Sequence, residues 1–514
     1  MLSHVTTPTP GSAAEQQVFE ALQSRLVEVF NVYRDLPDAE HAIVVVPSMT
    51  FDREMLEKVA GVDHYEERLL AMLCTLRRPR LRLVYCTSTR ISETVVDYYL
   101  HLITGVPQRH SRARLTMVCC DDASPAPLTQ KLLERPARIA EIRRAIAGVR
   151  TATLICQNTT GLERTLAVAL GIPLYGNPPE LDHLGSKSGS REVFRTAGVD
   201  LPDGFENLRD MDEVAAAVAQ LKGRHPGLAR AVIKVEEGFS GEGNAVLPLV
   251  GIDGTSDAER TRQVKHLLPT GLTYVADLDY ETFASKFAAM GGIVEEFIDG
   301  EIKYSPSAQG LIEPSGAVRP LSTHDQILGG ADGQVFEGST FPAHPDYRMR
   351  VQANGQAVGE VLQQRGALGR YAVDFMVART GDQVRTVAIE INLRRGGTTH
   401  PMMALEILTN GSYDAVSGQF ITRSGRVRTY CSTDNRRHPN YRRLNVDDFM
   451  DLMVTNHINY DPVTETGAVF HMLGALSQYG KFGMTCIAEN LAEARHIDKS
   501  VTSRLNRATG VGDP

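Results

Sequence analysis

The sequence contains no tryptophan, and aromatic residues make up only 6% of it. That argues against a surface built to stack nucleic-acid bases. Positive charge is not in excess either: 54 Lys and Arg stand against 62 Asp and Glu, a formal net charge of −8. A mildly acidic chain is a poor general ligand for nucleic acid or an anionic membrane surface, both polyanions. No run of 18 apolar residues occurs, so no membrane-crossing helix is expected. The opening MLSHVTTPTPGSAAEQQ lacks a basic stretch followed by an apolar one and does not read as a secretory signal. Its Thr, Pro, Ser and Gly content reads as a disordered tail over residues 1–14. Cysteine is scarce, with 7 in the chain and no CxxC pair. The odd number, and the apolar runs around several of them, point to buried thiols in a reducing cytoplasm. No Walker-type phosphate loop, GxSxG elbow or Cys–His signature is present. Neither P-loop chemistry nor a protein nucleophile is therefore indicated.

What is present is apolar material for sizeable cores: 42% hydrophobic residues in 514, enough for about three domains. Continuous apolar runs AIVVVP (42–47), LRLVYCTS (81–88), LTMVCC (115–120) and ATLICQN (152–158) read as buried strands. Helical stretches alternate with them at 65–76, 93–103, 138–148 and 162–171. This rhythm predicts a parallel sheet covered on both faces, a doubly wound α/β domain over 15–180. After Pro179 the pattern becomes α+β. A strand, a Gly-rich loop and a strand span 229–251, and a helix (281–290) leads into a strand at 292–298. Three more strand candidates lie between 301 and 343. A long helix then precedes GRYAVDFMVAR (369–379) and VRTVAIEINLR (384–394), which flank Thr-Gly-Asp and predict a hairpin. The expected division is a catalytic region over 181–440, split near 300, and a small α+β segment over 441–514.

Several residues carry chemistry. In GFSGEGN (238–244), Gly238, Ser240, Gly241 and Gly243 can bring backbone N–H groups close to phosphate oxygens. A strand follows the loop rather than a helix, so it reads as a hairpin flap and not a dinucleotide fingerprint. Taken alone it also fits a plain flexible hairpin. Lys234 precedes it on a strand, where a buried ammonium needs an anionic partner. Lys187 opens a helix, whose N-terminus favours anions. Glu390 and Asn392 share one face of a strand, and Asp374 on the partner strand can reach the same place. Three oxygen donors suit Mg²⁺. Arg394 and Arg395 follow, with forks suited to phosphate or carboxylate. VEEFIDGE (294–301) supplies acids beside an apolar strand, and His324 and Asp325 fall in a polar stretch, THDQILGG (323–330).

The order of these elements, two lysines, a Gly-rich hairpin, EEFIxGE and then D…ExN, resembles the ATP-grasp superfamily over about residues 180–410. As in D-alanine:D-alanine ligases, Lys187 stands ten residues before the Ala of an AGxP-like turn, here Ala197. The resemblance implies that Lys187 and Lys234 contact ATP phosphates beneath the flap. Glu295 would accept from the adenine amine, while Glu296 and Ile298 would give backbone contacts. Glu301 would hold ribose, although its spacing is one residue short. Asp374, Glu390 and Asn392 match a metal set for Mg²⁺, two ions by the family pattern, with Mn²⁺ as a substitute. Those ligases carry an arginine two residues before the metal aspartate. Here that position is Ala372 and the nearest arginine is Arg370, so oxyanion stabilisation falls to Arg394 or Arg395. His324 is a candidate for proton transfer.

VVVPSMTFD, GSKSGSREVF, EEGFSGEGNAV, VFEGSTFPAH and GAVFHMLGALSQYGKFGMTCIAEN narrow the likeness to pheganomycin-type peptide ligases. Those combine a pre-ATP-grasp domain, an ATP-grasp domain and a C-terminal domain, and the likeness covers nearly the whole chain. It implies an ATP-dependent ligase that joins a small-molecule or peptide carboxylate to an amine through an acyl phosphate. Other ATP-grasp chemistry, carboxylation or thioester formation, and a non-catalytic nucleotide-binding regulator are the alternatives. No nucleic-acid or membrane partner is expected, and a cytoplasmic homodimer is the default.

Overall fold

The computed structural model describes residues 8–50, 61–236, 243–274, 278–329 and 335–511. Ordered chain starts earlier than the composition suggests. A helix spans Ala13–Gln23, and the Ser12 hydroxyl caps it by accepting from the Glu15 N–H. A Ser at this position satisfies an otherwise orphaned donor, and the buried Phe19 and Leu22 hold the helix to the body.

The first layer is a four-stranded parallel sheet of β1 (His41–Val46), β2 (Leu81–Thr87), β3 (Leu115–Cys119) and β4 (Thr151–Cys156), in the order β3-β2-β1-β4. Every residue of β1 and β4 is buried, as continuous apolar runs with covered faces require. The helices Glu93–His101, Pro136–Ala145 and Gly161–Leu170 lie where the periodicity predicts. The stretch around 65–76 differs: Val62–Arg77 winds as a 3₁₀ helix. Its Glu66 carbonyl is taken by the Tyr85 hydroxyl at 2.5 Å.

The second sheet has five strands: β5 (Gly204–Leu208), β6 (Arg230–Val235), β7 (Asn244–Pro248), β8 (Thr273–Tyr274) and β9 (Gly292–Glu296). Their order is β5-β9-β6-β7-β8, all antiparallel. The third sheet has eleven: β10 (Ile302–Tyr304), β11 (Pro306–Ile312), β12 (Val318–Gly329), β13 (Val335–Phe341), β14 (Gly369–Thr380), β15 (Gln383–Asn392), β16 (Ser412–Asp414), β17 (Gln419–Ile421), β18 (Val427–Arg437), β19 (Gly467–His471) and β20 (Lys481–Ala488). β14 and β15 form the hairpin read at Thr-Gly-Asp, with Gly381 at φ 56° in the turn, a conformation glycine adopts without strain. The helix Arg348–Gln364 packs on the far face of this sheet, where Gly355 admits the Ala308 side chain.

The last segment extends the third sheet instead of standing clear of it. β20 pairs with β18 and β19 pairs with β20. One apolar core joins Ile43, Val45, Leu83 and Tyr85 of the first layer to Phe449, Phe470, Phe482 and Leu505 near the C-terminus. Met403 and Ala404 of the helix Thr399–Thr409 lie in the same core. This seam holds the end of the chain against its beginning. Among the described residues no helix is long and apolar enough to cross a membrane. All seven cysteines are free.

Candidate active site

The site is built where the second and third sheets face the start of the helix Lys187–Ala197. Ser186 caps that helix by accepting from the Gly189 N–H. The helix docks on the edge of β15, where the Ile391 N–H donates to the Ser190 hydroxyl at 3.1 Å. That docking brings Lys187 Nζ to 2.8 Å from Glu390 Oε1. One turn on, on the same helical face, Arg191 reaches the second sheet. Its guanidinium bonds Glu295 Oε1 at 2.5 Å and Glu206 at 3.0 Å. Glu295 Oε2 in turn accepts from Lys234 Nζ at 2.6 Å. One helix thus ties both lysines' partners together across the two sheets.

Across the β14–β15 hairpin, Asp374 stands opposite Glu390 and Ala372 opposite Asn392. The register shifts between Asp374 and Phe375, leaving Ile389 as an extra residue. A bulge of this kind re-aims side chains, and here it sets both carboxylates on one face. Asp374 accepts from Asn392 Nδ2 at 3.1 Å and from Gln326 Nε2 at 2.8 Å. Burial, then the Glu390 charge, push the Asp374 carboxyl up to about 6, against hydrogen bonds from Ser307 and Gln326 and the charge of Arg394. Burial also acts to raise Glu390, but Lys187 and Arg394 bring it below the ordinary range. Two half-buried carboxylates in mutual repulsion, beside an amide whose nitrogen faces Asp374 and leaves its oxygen over, make an all-oxygen donor set. That set fits Mg²⁺.

Arg394 and Arg395 separate. Arg394 acts electrostatically on Asp182, Asp374 and Glu390 alike. Arg395 is a tether: Nη1 donates to the Cys156 carbonyl at 2.5 Å and its N–H to the Gln157 carbonyl, at the end of β4. The expectation of either arginine at the oxyanion therefore narrows to Arg394. Three other expectations change. Glu295 is 2% exposed with both oxygens engaged, so it fixes Lys234 and Arg191 rather than waiting open for an adenine amine. Two buried cations need that carboxylate between them. Glu301 lies exposed beside the hairpin turn and accepts from the Gly381 N–H at 3.3 Å. His324 is the third. It sits within β12, fully buried, with Nε2 at 2.5 Å from the Tyr430 hydroxyl. Burial lowers it to about 3, so the ring is neutral and closed off, not a proton carrier. Asp325 points to the opposite face and accepts from the Tyr347 hydroxyl.

Gly243, at φ 90°, stands where β6 and β7 come together, and its carbonyl accepts from the Val235 N–H. Gly238, Ser240 and Gly241 lie outside the described residues. Glu296 spends its carboxylate on Asp203 N–H and Arg385. Ile298, Ala378 and Val387 form a small apolar floor with Met376 and Ile389 partly open beside it. Sequence reasoning missed Arg191, Asp182, Ser307 and Gln326. Arg191 was readable as the residue four after Lys187; the others needed the sheet register.

With this geometry in place, the comparisons decide the family. A model described as "IQCH-like, ATP-grasp" matches residues 179–267 and 262–416, and one described as "PGM1 C-terminal domain" matches 448–501. The L-propargylglycine–L-glutamate ligase of Streptantibioticus cattleyicolor is 31% identical over 473 residues, covering 90% of this chain and 93% of that protein. This chain belongs to the ATP-grasp ligases. IQ motif-containing protein H of Danio rerio is 24% identical to this chain over 533 residues, covering 94% of the chain but only 50% of that longer protein. Among solved structures, the biotin carboxylase–β-γ-ATP complex from Campylobacter jejuni shares the fold of this chain. Its TM-score is 0.51 at 13% identity, covering 92% of this chain and 96% of that one.

Proposed function

We propose that this ATP-grasp ligase joins an amino-acid-sized carboxylate to an amine through an acyl phosphate. The observation that carries the reading is the Asp374–Glu390 pair on the β14–β15 hairpin, braced by Lys187 and flanked by Asn392. Mg²⁺ held by Asp374, Glu390 and Asn392, as two ions and replaceable by Mn²⁺, would draw charge from the ATP phosphates. Lys187 and Lys234 bind those phosphates, and the hairpin ending at Gly243 covers them. The substrate carboxylate oxygen attacks the γ-phosphorus, and ADP leaves. The amine then attacks the acyl carbon, phosphate departs with the former carboxylate oxygen, and the ammonium proton is lost. Arg394 offsets the oxyanion charge of the tetrahedral intermediate. The apolar floor around Ile298, with Met376 and Ile389 partly open beside it, seats the adenine ring, in place of the Glu295 carboxylate. Its relative is named for two L-amino acids, which supports amino-acid-sized partners here. The seven free thiols suit a cytoplasmic setting.

The test is a screen of acid and amine pairs for ADP release, with mass detection of the product. ADP formation that requires both partners supports the reading. ADP release indifferent to every amine refutes it.

A further inference from the structure

Away from the ATP cleft, three buried side chains bring ligating atoms to one point. His400 lies in the first turn of the helix Thr399–Thr409, Asp434 on β18, and His471 at the end of β19. Each is 4% exposed. His471 Nε2 is 2.7 Å from Asp434 Oδ1, His400 Nε2 is 2.9 Å from the same oxygen, and the two nitrogens are 3.1 Å apart. The rings meet edge to face, so the nitrogens converge rather than stack. This is the only such group of His, Cys, Asp and Glu among the described residues.

Hydrogen bonding alone satisfies this arrangement poorly. If both Nε2 atoms carry protons, two N–H groups crowd one oxygen and each other. If one Nε2 is bare, its lone pair faces a carboxylate lone pair at under 3 Å. A cation between them accepts all three lone pairs at once.

The distances also select the ion. Ligand atoms at about 2.1 Å from a metal stand about 3.4 Å apart in a tetrahedron. The observed 2.7, 2.9 and 3.1 Å are shorter and match ligands at roughly right angles, one face of an octahedron. Two imidazoles and a carboxylate favour borderline first-row ions over Mg²⁺ or Ca²⁺. We infer that His400, Asp434 and His471 form a binding site for one divalent first-row transition-metal ion, separate from the Mg²⁺ set of the ATP cleft.

An outer partner is in place. Arg68 holds the other Asp434 oxygen at 2.6 Å and is itself held over the Tyr65 ring at 3.9 Å. That contact orients Oδ1 toward the histidines, as supporting hydrogen bonds do in metal sites. Gly483 on β20 keeps the place open, because a Cβ there would lie 2.1 Å from His471 Nε2. The ion would staple the segment after Arg394 and Arg395 to β18 and β19 and, through Arg68, to the first layer. Its closed position assigns it to structure and not to catalysis.

The test uses the full chain, stripped with chelator, incubated with Co²⁺ or Zn²⁺, gel-filtered and analysed for metal and visible absorption. The expected result is about one ion per chain with Co²⁺ ligand-field bands, unchanged in Glu390→Ala. Uptake should fall to about a tenth or less in His471→Ala and in Gly483→Ala, which fills the place without removing a ligand. X-ray absorption on the Co²⁺-loaded wild type covers the case in which those variants do not fold, and should show two imidazole rings at the ion. Wild-type uptake below about a tenth of an ion, uptake unchanged in His471→Ala, or a spectrum without imidazole scattering overturns the proposal.

Discussion

The ATP cleft and the seam between the first layer and the C-terminal strands both take charge out of water, and they resolve it in opposite ways. In the cleft, Asp374 and Glu390 face each other half-buried, and the repulsion is part of what holds the Asp374 carboxyl near 6. In the seam, Asp434 is compensated from every side by Arg68, His400 and His471, which hold its carboxyl well below the usual range despite burial. Nearby, His64 is bound to Glu67 and Gln478, and Glu67 accepts from the Gly474 N–H. One region keeps unbalanced charge for a ligand that comes and goes. The other balances charge to weld distant parts of the chain. Donor chemistry follows the same division, oxygen in the cleft and imidazole nitrogen in the seam.

Substitutions can break this contrast. The largest effect belongs to the seam: in chelator-treated protein, Arg68→Ala should cost about 3–5 kcal/mol in urea unfolding, because it leaves a buried carboxylate without its cation. Next, Glu390→Ala should lower the rate of amine-dependent ADP release about 10²–10³-fold and cost less in unfolding than Arg68→Ala, because relief of the Asp374 repulsion offsets the partner that Lys187 loses. Equal damage to stability and rate in both variants would erase the distinction. Lys234→Ala should weaken Mg·ATP binding about 10- to 100-fold by calorimetry, since it removes a charge-assisted contact and leaves Glu295 to Arg191 alone. The smallest effect is a pH slope. Burial pulls His64 down, but Glu67 more than offsets this and raises it to about 9. Folding raises this pKa, so its contribution is complete below about 6.5 and fades as pH climbs through 9. Stability should fall by about 1 kcal/mol between pH 8 and 10, and His64→Gln should flatten that slope.

Much of the cleft was legible because its signals are local. Glu390 and Asn392 are two apart on a strand, Thr-Gly-Asp marks the turn, and Lys187 and Lys234 carry motifs beside them. The Ile389 bulge was not legible, because register depends on the partner strand. Glu295 was misread because its two partners, Arg191 and Lys234, come from a helix and a strand far along the chain. His324 looked available for proton transfer because its stretch is polar in sequence. In the structure it lies between β11 and β13, with Ser307 opposite it. The seam left no local trace: His400, Asp434 and His471 meet only after the C-terminal strands join the sheet, and no spacing rule spans such gaps.

The central claim is that the cleft activates a carboxylate by phosphorylation. Running the reaction with an acid labelled by ¹⁸O in its carboxyl group and weighing the released phosphate tests this directly. The account predicts one ¹⁸O in the phosphate for each amide formed. Unlabelled phosphate accompanying amide formation would contradict it.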